Sequence, residues 1–558
     1  MVEEESKVFS RNSTGLVREI APHQAFIYNF MAIGLCTFTW VTLFSIAYSE
    51  NFLGSSVGLA IVLMALAAIP FYLCTAMLST AMPRSGGDYV WQSRVIHPAV
   101  AFAATISAWT VWQWYFAGFL GSNITTIGLQ PYFALLGQNS AYFQGISSAL
   151  GANFGYNSWT FAITTAIILL GLLIASLGMK FYVKIQYVLF AGSAVSALTI
   201  LGVLATTTHA KFVSSFNAFT SPMIEASGNQ TLIGAVNSAG GYYNYIVNTA
   251  SVGTPSFSLA STLVLLGVIW LSFGYAFWSI YNLSEIKKAS SIRNQTWTQL
   301  GSALAFAVFL LALWYLLESV VGAKFLDSFY SLFYANSPAL SSFAFTPYYP
   351  ALIASISSSP IVWTLVLVGL AFGLFQVILI VYFASTRILL ASSLDRVLPE
   401  KVSYVHPRTH SPLVALIISA IGCELFLYMI IYQESIFSYF STAGLATQIA
   451  YVMISVTAIL FPFRKRKVFE ASPAGKYKLG GLPLISLLGL ISLCVNLYIA
   501  WIFVFGPPLG VLSVSSTLSI ESVGGIFAAC LVVYLVSWAL RRGQKIDLSL
   551  SFREIPPE

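Results

Sequence analysis

Twelve long apolar segments, separated by more polar stretches, constrain this chain more than any other feature of its sequence. A helix needs about 20 mostly apolar residues to cross a membrane. Only 8% of the residues are charged, against about 25% in soluble domains. Transmembrane strands would be about 10 residues long with alternating polarity, and that pattern is absent. The sequence therefore predicts an all-α polytopic membrane protein with twelve transmembrane helices, at 24–49, 53–81, 99–121, 158–177, 182–205, 258–283, 298–322, 360–392, 412–432, 436–461, 482–505 and 522–540.

The distribution of Lys and Arg predicts the topology. If the N-terminus is cytoplasmic, two of these residues, Lys211 and Lys324, fall on the outer face, and the other 24 of the 26 fall on the inner face. An excess of Lys and Arg marks cytoplasmic loops. The sequence therefore predicts an even number of spans in the cell membrane, with residues 1–23 and 541–558 as cytoplasmic tails.

Several classes of function lack the residues that they would need. The five cysteines fall in apolar segments without a CxxC, and the five histidines lie in loops or at segment edges. The sequence thus predicts neither a disulfide framework nor a metal site. No two carboxylates share a segment at helical spacing, which argues against an enzyme. The basic run at 464–467 is interpreted as a topology signal that contacts lipid headgroups, so we expect no nucleic-acid partner.

Two carboxylates lie inside apolar segments, where ionisable side chains are costly and often functional. Glu318 stands near the outer end of its segment, and we interpret it as reaching the outer headgroup region. Glu424 lies within its segment. It is either a proton carrier or a packed carboxyl away from any pathway, and it is therefore a candidate ion-coupling residue.

Two glycines stand at matching places in the pattern of segments. Gly34 lies in FMAIGLCTFTW of the first segment, and Gly274 lies in LSFGYAFW of the sixth. These segments begin two successive sets of five, at 24–207 and 258–461. Paired interruptions at corresponding places indicate an inverted-repeat transporter. The remaining residues would form an external loop and two further helices, at 208–257 and 462–540.

A helix that is broken at such a glycine has a chemical consequence. Its free N–H groups and positive dipole end attract an anion such as a carboxylate, and its free carbonyls can hold a cation or an ammonium group. An amino acid zwitterion matches both. The alternative is a continuous helix whose glycine only packs against a neighbour.

Aromatic side chains are concentrated in the third and sixth segments. Trp109 and Gln113 share a helical face of the third segment and are candidate substrate contacts. Packing against neighbouring helices is the alternative role for most of the aromatics there. In the sixth segment, Phe273, Phe277 and Trp278 flank the glycine, and an aromatic ring in that place can act as a lid over a substrate.

The polar connections carry distinctive motifs. In chain order they are PRSGGDYVWQSR at 83–94, GMKFYVKIQ at 178–186, SEIKKAS at 284–290, STRILLASSLDRVLPEKVSYVHPRTHSPLVAL at 385–416 and FRKRKVFEASPAGKYKLGGLPLI at 463–485. Each resembles the equivalent stretch of the amino acid–polyamine–organocation (APC) superfamily of permeases. The stretch at 385–416 is the most specific, since it is similar to the family pattern S-R-x-L-x-A-x-x-x-D-x-x-L-P between helices eight and nine.

The resemblance implies a fold, an activity and a site. The fold is a five-plus-five inverted repeat with helices one and six unwound at the midplane. The activity is the movement of amino acids, polyamines or related amines by alternating access. The implied substrate contacts in helix one are Ile33, Gly34, Leu35, Cys36 and Thr37. Those in helix six are Phe273, Gly274, Tyr275 and Ala276.

The chain departs from the family pattern in two places. The helix-one signature G-[ST]-G-I-F is here GLCTF at 34–38, so Cys36 replaces the second glycine. A side chain at that position narrows the access of a carboxylate to the backbone. The proline that usually follows E-x-K-N near helix six is replaced by the run Lys288-Ala289-Ser290.

The resemblance leaves the coupling ion open. A sodium site between helices one and eight would use the hydroxyls of Ser385 and Thr386. Other members place a basic side chain in helix five, where this chain has Ser193. Exchange without a coupling ion is the third alternative. Apart from H⁺ or Na⁺ in this role, we expect no cofactor.

The sequence as a whole predicts a secondary active transporter that moves an amino acid or a related amine across the cell membrane. Its expected partners are that small molecule and the lipid bilayer. Two alternatives on the same fold remain, namely an amine or polyamine exchanger without a coupling ion and a non-transporting sensor. A channel would need rings of like residues or a pore helix, and the sequence shows neither.

Overall fold

A computed structural model describes residues 15–33, 35, 52–151, 155–250, 252, 256–343, 348–433, 443–506 and 517–553. Over these residues the chain forms 23 α-helices and one small hairpin. The helices are α1 Pro22–Ile33, α2 Val57–Ala81, α3 Asp88–Val95, α4 Pro98–Ile106, α5 Trp112–Asn123, α6 Gln130–Gly137, α7 Ala141–Leu150, α8 Ser158–Ser176, α9 Met179–Ala205, α10 His209–Ala226, α11 Gln230–Ser238, α12 Tyr242–Ala250, α13 Leu259–Phe273, α14 Ile292–Thr296, α15 Ser302–Val320, α16 Ala323–Tyr334, α17 Tyr349–Ile356, α18 Pro360–Leu394, α19 Leu413–Tyr432, α20 Ala443–Arg464, α21 Arg466–Ala471, α22 Leu484–Phe505 and α23 Thr517–Gly543.

Shorter elements complete the description. Five 3₁₀ helices lie at Trp278–Glu285, Pro338–Leu340, Glu400–Ser403, Pro473–Lys476 and Leu548–Phe552. Three π-helical turns lie at Ser107–Val111, Ile124–Leu129 and Trp297–Gly301. The hairpin pairs β1 Lys478–Leu479 with β2 Leu482–Pro483 in antiparallel register.

Ten helices of the described part of the chain are long and apolar enough to cross a membrane. They are Val57–Ala81, Ser158–Ser176, Met179–Ala205, Leu259–Glu285, Ile292–Val320, Pro360–Leu394, Leu413–Tyr432, Gly444–Arg464, Leu484–Phe505 and Ile520–Gly543. They coincide with ten of the twelve predicted segments. The prediction of an all-α polytopic fold is therefore confirmed.

The first and third predicted segments are absent from these ten for different reasons. Most of the first lies outside the described residues, which include α1 and Leu35 but neither Gly34 nor 36–51. The third is helical throughout, but π turns at Ser107–Val111 and Ile124–Leu129 divide it into shorter α-helices. The count of twelve spans and the inverted repeat stay predictions.

The predicted external loop at 208–257 is largely helical. Residues 209–250 form α10, α11 and α12. Their buried faces are aromatic, and the ring of Phe216 lies 5.2 Å from that of Phe325 on α16. Tyr243 stacks on Phe325 at 4.4 Å. These helices are short and rich in Ser, Asn and Gly, so apolar length alone could not find them.

Side-chain caps fix where several spans begin. The Ser56 hydroxyl accepts a hydrogen bond from the Leu59 N–H at the start of α2, and Ser258 does the same for Ser261 in α13. Asn157 forms a capping box with Thr160 at the start of α8. Such caps satisfy the N–H groups that the first turn of a helix leaves unpaired.

The sixth predicted segment lies at the centre of the bundle. In Leu259–Glu285, 89% of the most apolar stretch is buried, against 17% in Ile520–Gly543 at the periphery. Side chains such as Leu66, Leu198 and Val308 are apolar and exposed on outward faces, as expected of helices that face lipid. The sixth segment is therefore the span that other helices enclose most fully, and we expect polar groups that bind a substrate to lie around it.

Two buried ion pairs fasten the C-terminal end of α18. Arg94 donates from two nitrogens to Asp395, at 2.6 and 2.7 Å. Arg387 likewise donates to Glu285 at 3.0 and 2.9 Å. All four side chains are buried, and the geometry is the bidentate one that suits a guanidinium and a carboxylate.

The segment before α1 is attached to the same place. The carbonyl of Glu285 accepts hydrogen bonds from the N–H groups of Glu19 and Ile20, and the Lys287 N–H donates to Ile20. Ile20 and Ile286 form a parallel β-bridge. The exit of the sixth segment is therefore held by both α18 and the N-terminal segment.

Loss of one partner of a buried pair should be far more costly than loss of an exposed one. Asp395→Asn leaves the Arg94 guanidinium buried without its countercharge, so we expect the free energy of unfolding to fall by about 3 to 5 kcal/mol. The matched control is Glu470→Gln, in the exposed pair of Arg466 and Glu470, which should have no measurable effect. Thermal unfolding in detergent measures both, and equal stabilities would contradict the prediction.

Candidate substrate site

The helix in the sixth segment ends at Phe273, although the apolar sequence continues. Gly274 is the C-cap, with φ −62° and ψ −15°. A turn follows at 274–277, and then the 3₁₀ helix Trp278–Glu285, in which Asn282 is itself non-helical. The predicted interruption at Gly274 is therefore confirmed. Its predicted partner, Gly34, lies outside the described residues.

Tyr72 on α2 bridges the interruption. Its hydroxyl donates to the carbonyl of Phe273 and accepts from the N–H of Ala276, the latter at 3.3 Å. One side chain thus pairs a carbonyl and an N–H that the end of the helix leaves without intrahelical partners. A buried backbone group without a partner would be costly in apolar surroundings.

Tyr451 on α20 pairs the next carbonyl. Its hydroxyl donates to the Gly274 oxygen at 2.9 Å. A Cβ on Gly274 would lie 2.6 Å from that hydroxyl and 3.0 Å from the ring carbon that bears it. Glycine is therefore required here because the tyrosine approaches the backbone closely, while the backbone angles themselves suit any residue.

Asn29 on α1 completes the set of side chains on the broken segment. Its Oδ1 accepts from the Ser279 N–H at 2.8 Å, and its Nδ2 donates to the carbonyl of Thr298 at 2.8 Å. The first, sixth and seventh predicted spans are therefore joined through one buried amide.

Trp109 provides the aromatic wall of the interruption. It lies in the π turn Ser107–Val111, and π turns inside helices are frequent at functional sites. Its ring lies 5.4 Å from Tyr451 and within 6.4 Å of four rings of the broken segment, those of Tyr275, Phe277, Trp278 and Tyr281. Trp109 therefore packs against the interruption, and its predicted role as a substrate contact stays a prediction.

A carboxyl lies behind Trp109. The indole N–H donates to Oδ2 of Asp88 at 3.0 Å, and the amide of Gln92 donates to the same oxygen at 3.0 Å. Asp88 begins α3, in the connection between the second and third predicted spans, and it is fully buried. Burial raises the pKa of this carboxyl to about 7, and the hydrogen bond from Trp109 opposes the rise.

Some of the other predicted substrate residues are buried near the interruption, and others lie outside the described residues. Phe273 lies at the interruption and packs its ring against Phe306, 5.6 Å away. Ile33 and Leu35 are buried at the end of α1, whereas Cys36 and Thr37 lie outside the described residues. Gln113 is buried, and its amide donates to the carbonyl of Ala108 in its own helix at 3.3 Å.

The predicted ion-coupling residues lie in three places. Ser385 and Thr386 donate to carbonyls of their own helix, at 2.8 and 2.6 Å, and Arg387 donates to the Thr386 hydroxyl at 3.1 Å. Ser193 donates to the Gly369 carbonyl and joins α9 to α18. Glu424 accepts from the Thr165 hydroxyl at 2.9 Å and joins α19 to α8. Their role in coupling stays a prediction.

Sequence reasoning missed three side chains that pair the backbone at the interruption, and the carboxyl that lies behind Trp109. Tyr72 and Tyr451 stand in apolar spans with nothing in the local pattern to separate them from packing aromatics. Asn29 is a lone amide near the start of the first segment. Asp88 was visible inside PRSGGDYVWQSR, a motif that otherwise served only to show resemblance.

The chain matches one of the known protein-family models over most of its length. The model described as "Amino acid permease" matches residues 28–528, which include all the candidate site residues above. No curated protein was found to match the chain. Among the described residues, no three His, Cys, Asp or Glu side chains come together as a metal site would require.

The close approach of Tyr451 to Gly274 predicts energetic coupling between them. Gly274→Ala forces the hydroxyl away, at about 1–3 kcal/mol, and Tyr451→Phe leaves the Gly274 carbonyl unpaired, at about 1–3 kcal/mol. Once the Tyr451 hydroxyl is absent, the new methyl group at position 274 has fewer close contacts. The free energy of unfolding of the double variant should therefore fall by at least about 0.5 kcal/mol less than the sum of the two single losses. Thermal unfolding of the parent, the two single variants and the double variant in detergent measures this coupling. Tyr428→Phe, at an exposed tyrosine, is the control. Strict additivity would contradict the contact.

Proposed function

Because this chain belongs to the amino acid permease family, we propose that it is a secondary active transporter, which moves an amino acid or a related amine across the membrane by alternating access. Its ten candidate spans make it a multi-pass membrane protein. The family supports transport, and the interrupted sixth segment is the place that we assign to the substrate.

The observation that carries this proposal is the pair of tyrosine hydroxyls on the carbonyls of Phe273 and Gly274. Both donors are side chains, so they can move aside and another donor can take their place. Hydrogen bonds from a charged donor are roughly twice as strong as neutral ones. We therefore assign these two carbonyls to the ammonium group of the substrate.

The remaining polar group of an amino acid would meet the N–H groups of helix one, at 33–37. By the sequence, a side chain at Cys36 would narrow the approach of a carboxylate to that backbone. Amines that lack a carboxylate therefore belong in the substrate class that we propose, beside zwitterionic amino acids.

The aromatic rings around the interruption would exclude water from the bound ammonium group. Trp109, Phe277 and Tyr451 contact one another edge to face, with ring centroids 5.4–5.9 Å apart. A substrate that enters must displace at least one of these rings. Aromatic faces also attract cations, which favours an ammonium group over a neutral solute.

The inner face of the molecule offers a gate that can move as a unit. By the charge distribution, the pairs Arg94–Asp395 and Arg387–Glu285 lie on the cytoplasmic side. Glu285 ends the segment that begins at Gly274, so a shift of that segment is transmitted to α18. We propose that release of substrate to the inside requires this displacement.

Transport should be detectable in proteoliposomes. We expect uptake or counterflow of at least one member of a panel of labelled amino acids and amines, measured with imposed H⁺ and Na⁺ gradients in turn. No uptake and no exchange of any member would contradict the proposed function. Empty liposomes provide the background.

If the substrate binds at the interruption, a large side chain at Gly274 should abolish transport. Gly274→Leu places a large side chain between the broken segment and Tyr451, so we expect loss of transport and of substrate-induced thermal stabilisation. The matched control is Gly202→Leu, in the last turn of the spanning helix α9, where a Cβ meets nothing within 4 Å. Gel filtration shows that both variants are folded. Transport at the parent rate by a folded Gly274→Leu variant would exclude this site.

A further inference from the structure

The carboxyl of Asp88 is buried beside the broken segment, and neither the substrate assignment nor the ion pairs use it. Its side chain is fully buried. Its Oδ2 accepts from Trp109 and from Gln92, each at 3.0 Å. Across the part of the chain that the structure describes, its Oδ1 is buried without a hydrogen-bond partner.

The two buried guanidinium groups described above are engaged with other carboxylates. Arg94, on the same helix, pairs with Asp395 at the end of α18. Arg387 pairs with Glu285. The other titratable groups that act on this carboxyl from neighbouring elements are the hydroxyls of Tyr281 on the broken segment and Tyr451 on α20. Both are neutral hydroxyls, and that of Tyr451 donates to the Gly274 carbonyl.

A carboxyl in such surroundings is a proton-binding group. An ionised carboxylate without a paired cation is disfavoured when it is buried. Two neutral N–H donors offset part of this cost. The two effects leave the group able to change its charge near neutral pH, and burial raises its pKa to about 7.

On the basis of the proposed transport function, we propose that Asp88 binds and releases the proton that couples the uptake of substrate to a proton gradient. One proton from the outer solution binds to Oδ1 as the substrate binds at the interruption. It returns to water on the inner side when the substrate leaves. The ligand is H⁺, and no other reactant is needed.

The geometry connects this proton to the substrate site through two contacts. Trp109 donates to Oδ2 and forms the wall against Tyr275, Phe277 and Trp278. Tyr281 lies in the broken segment beyond the glycine, with its ring 6.3 Å from that of Trp109, and its hydroxyl is buried without a hydrogen-bond partner among the described residues. A neutral Asp88 can donate its own proton to a hydroxyl, whereas the carboxylate can only accept. The charge of Asp88 therefore changes the bonding of the segment that binds substrate.

The decisive experiment compares gradient-driven accumulation with counterflow in proteoliposomes. The parent should accumulate substrate several-fold when the outside is acidic. Asp88→Asn, which cannot exchange a proton, should lose this accumulation while counterflow at equal pH remains measurable. The matched control is Asp327→Asn on α16, since burial also raises the pKa of that carboxyl to about 7 and the residue lies away from the interruption. Glu424→Gln tests the rival assignment within the ninth segment.

The outcomes separate the inference from the proposed function. A parent without counterflow of any substrate contradicts the function itself. With counterflow established, the inference is overturned if Asp88→Asn still accumulates substrate, if it is folded but shows no counterflow, or if Glu424→Gln alone abolishes accumulation. If Asp88→Asn does not fold, Trp109→Phe decides. Loss of the indole donor should raise the pH midpoint of transport, and an unmoved midpoint overturns the inference.

The same carboxyl predicts how stability depends on pH. Its pKa is about 7 in the folded protein, raised from 3.8, so the folded state holds more protons than the unfolded state between these values. Its contribution should therefore reduce stability as pH rises from about 4 to about 7, and change little above that range. The stability of Asp88→Asn relative to the parent should therefore rise with pH, and thermal unfolding of both proteins across this range measures it. A constant difference contradicts the proton-binding role.

Discussion

A backbone carbonyl or N–H group in apolar surroundings has to be paired, and in this molecule that requirement decides where the sixth span can be broken. Inside a helix each group is satisfied by the group one turn away. At Gly274 this pattern stops, and the cost is met by side chains from three other spans, namely Tyr72, Tyr451 and Asn29. The interruption is therefore a property of the assembled bundle and cannot form in an isolated helix. It also follows that the site is sensitive to small movements of α2, α20 and α1.

The composition and the spacing of apolar segments were enough to predict the architecture, because crossing a bilayer imposes a length on every helix. The interruption at Gly274 was also predictable as one of two alternatives. What resolved it was the approach of Tyr451, which comes from 177 residues further along the chain. A contact of that separation leaves no local pattern. Tyr72 and Asp88 were missed for the same reason, since the backbone that Tyr72 pairs and the indole that donates to Asp88 lie on other elements.

The buried charges at the end of α18 are also paired with one another. Two guanidinium groups are buried at the end of α18, and each has a carboxylate in bidentate geometry. Asp88 differs because the described residues around it supply only neutral donors. A bundle with 8% charged residues can tolerate few such groups. A buried ionisable group without an opposite charge is therefore a candidate functional residue.

The π turn at Ser107–Val111 has a further consequence for the third predicted span. A π turn accommodates one extra residue, and each residue of an α-helix turns the chain by about 100°. All side chains beyond Val111 are thereby rotated relative to a regular helix, which is why Gln113 bonds back to Ala108. Deletion of one residue here would restore a regular helix of nearly the same composition and apolarity. It would also turn either Trp109 or the C-terminal half of the span away from its neighbours. The site therefore depends on the number of residues in this turn as well as on their identity.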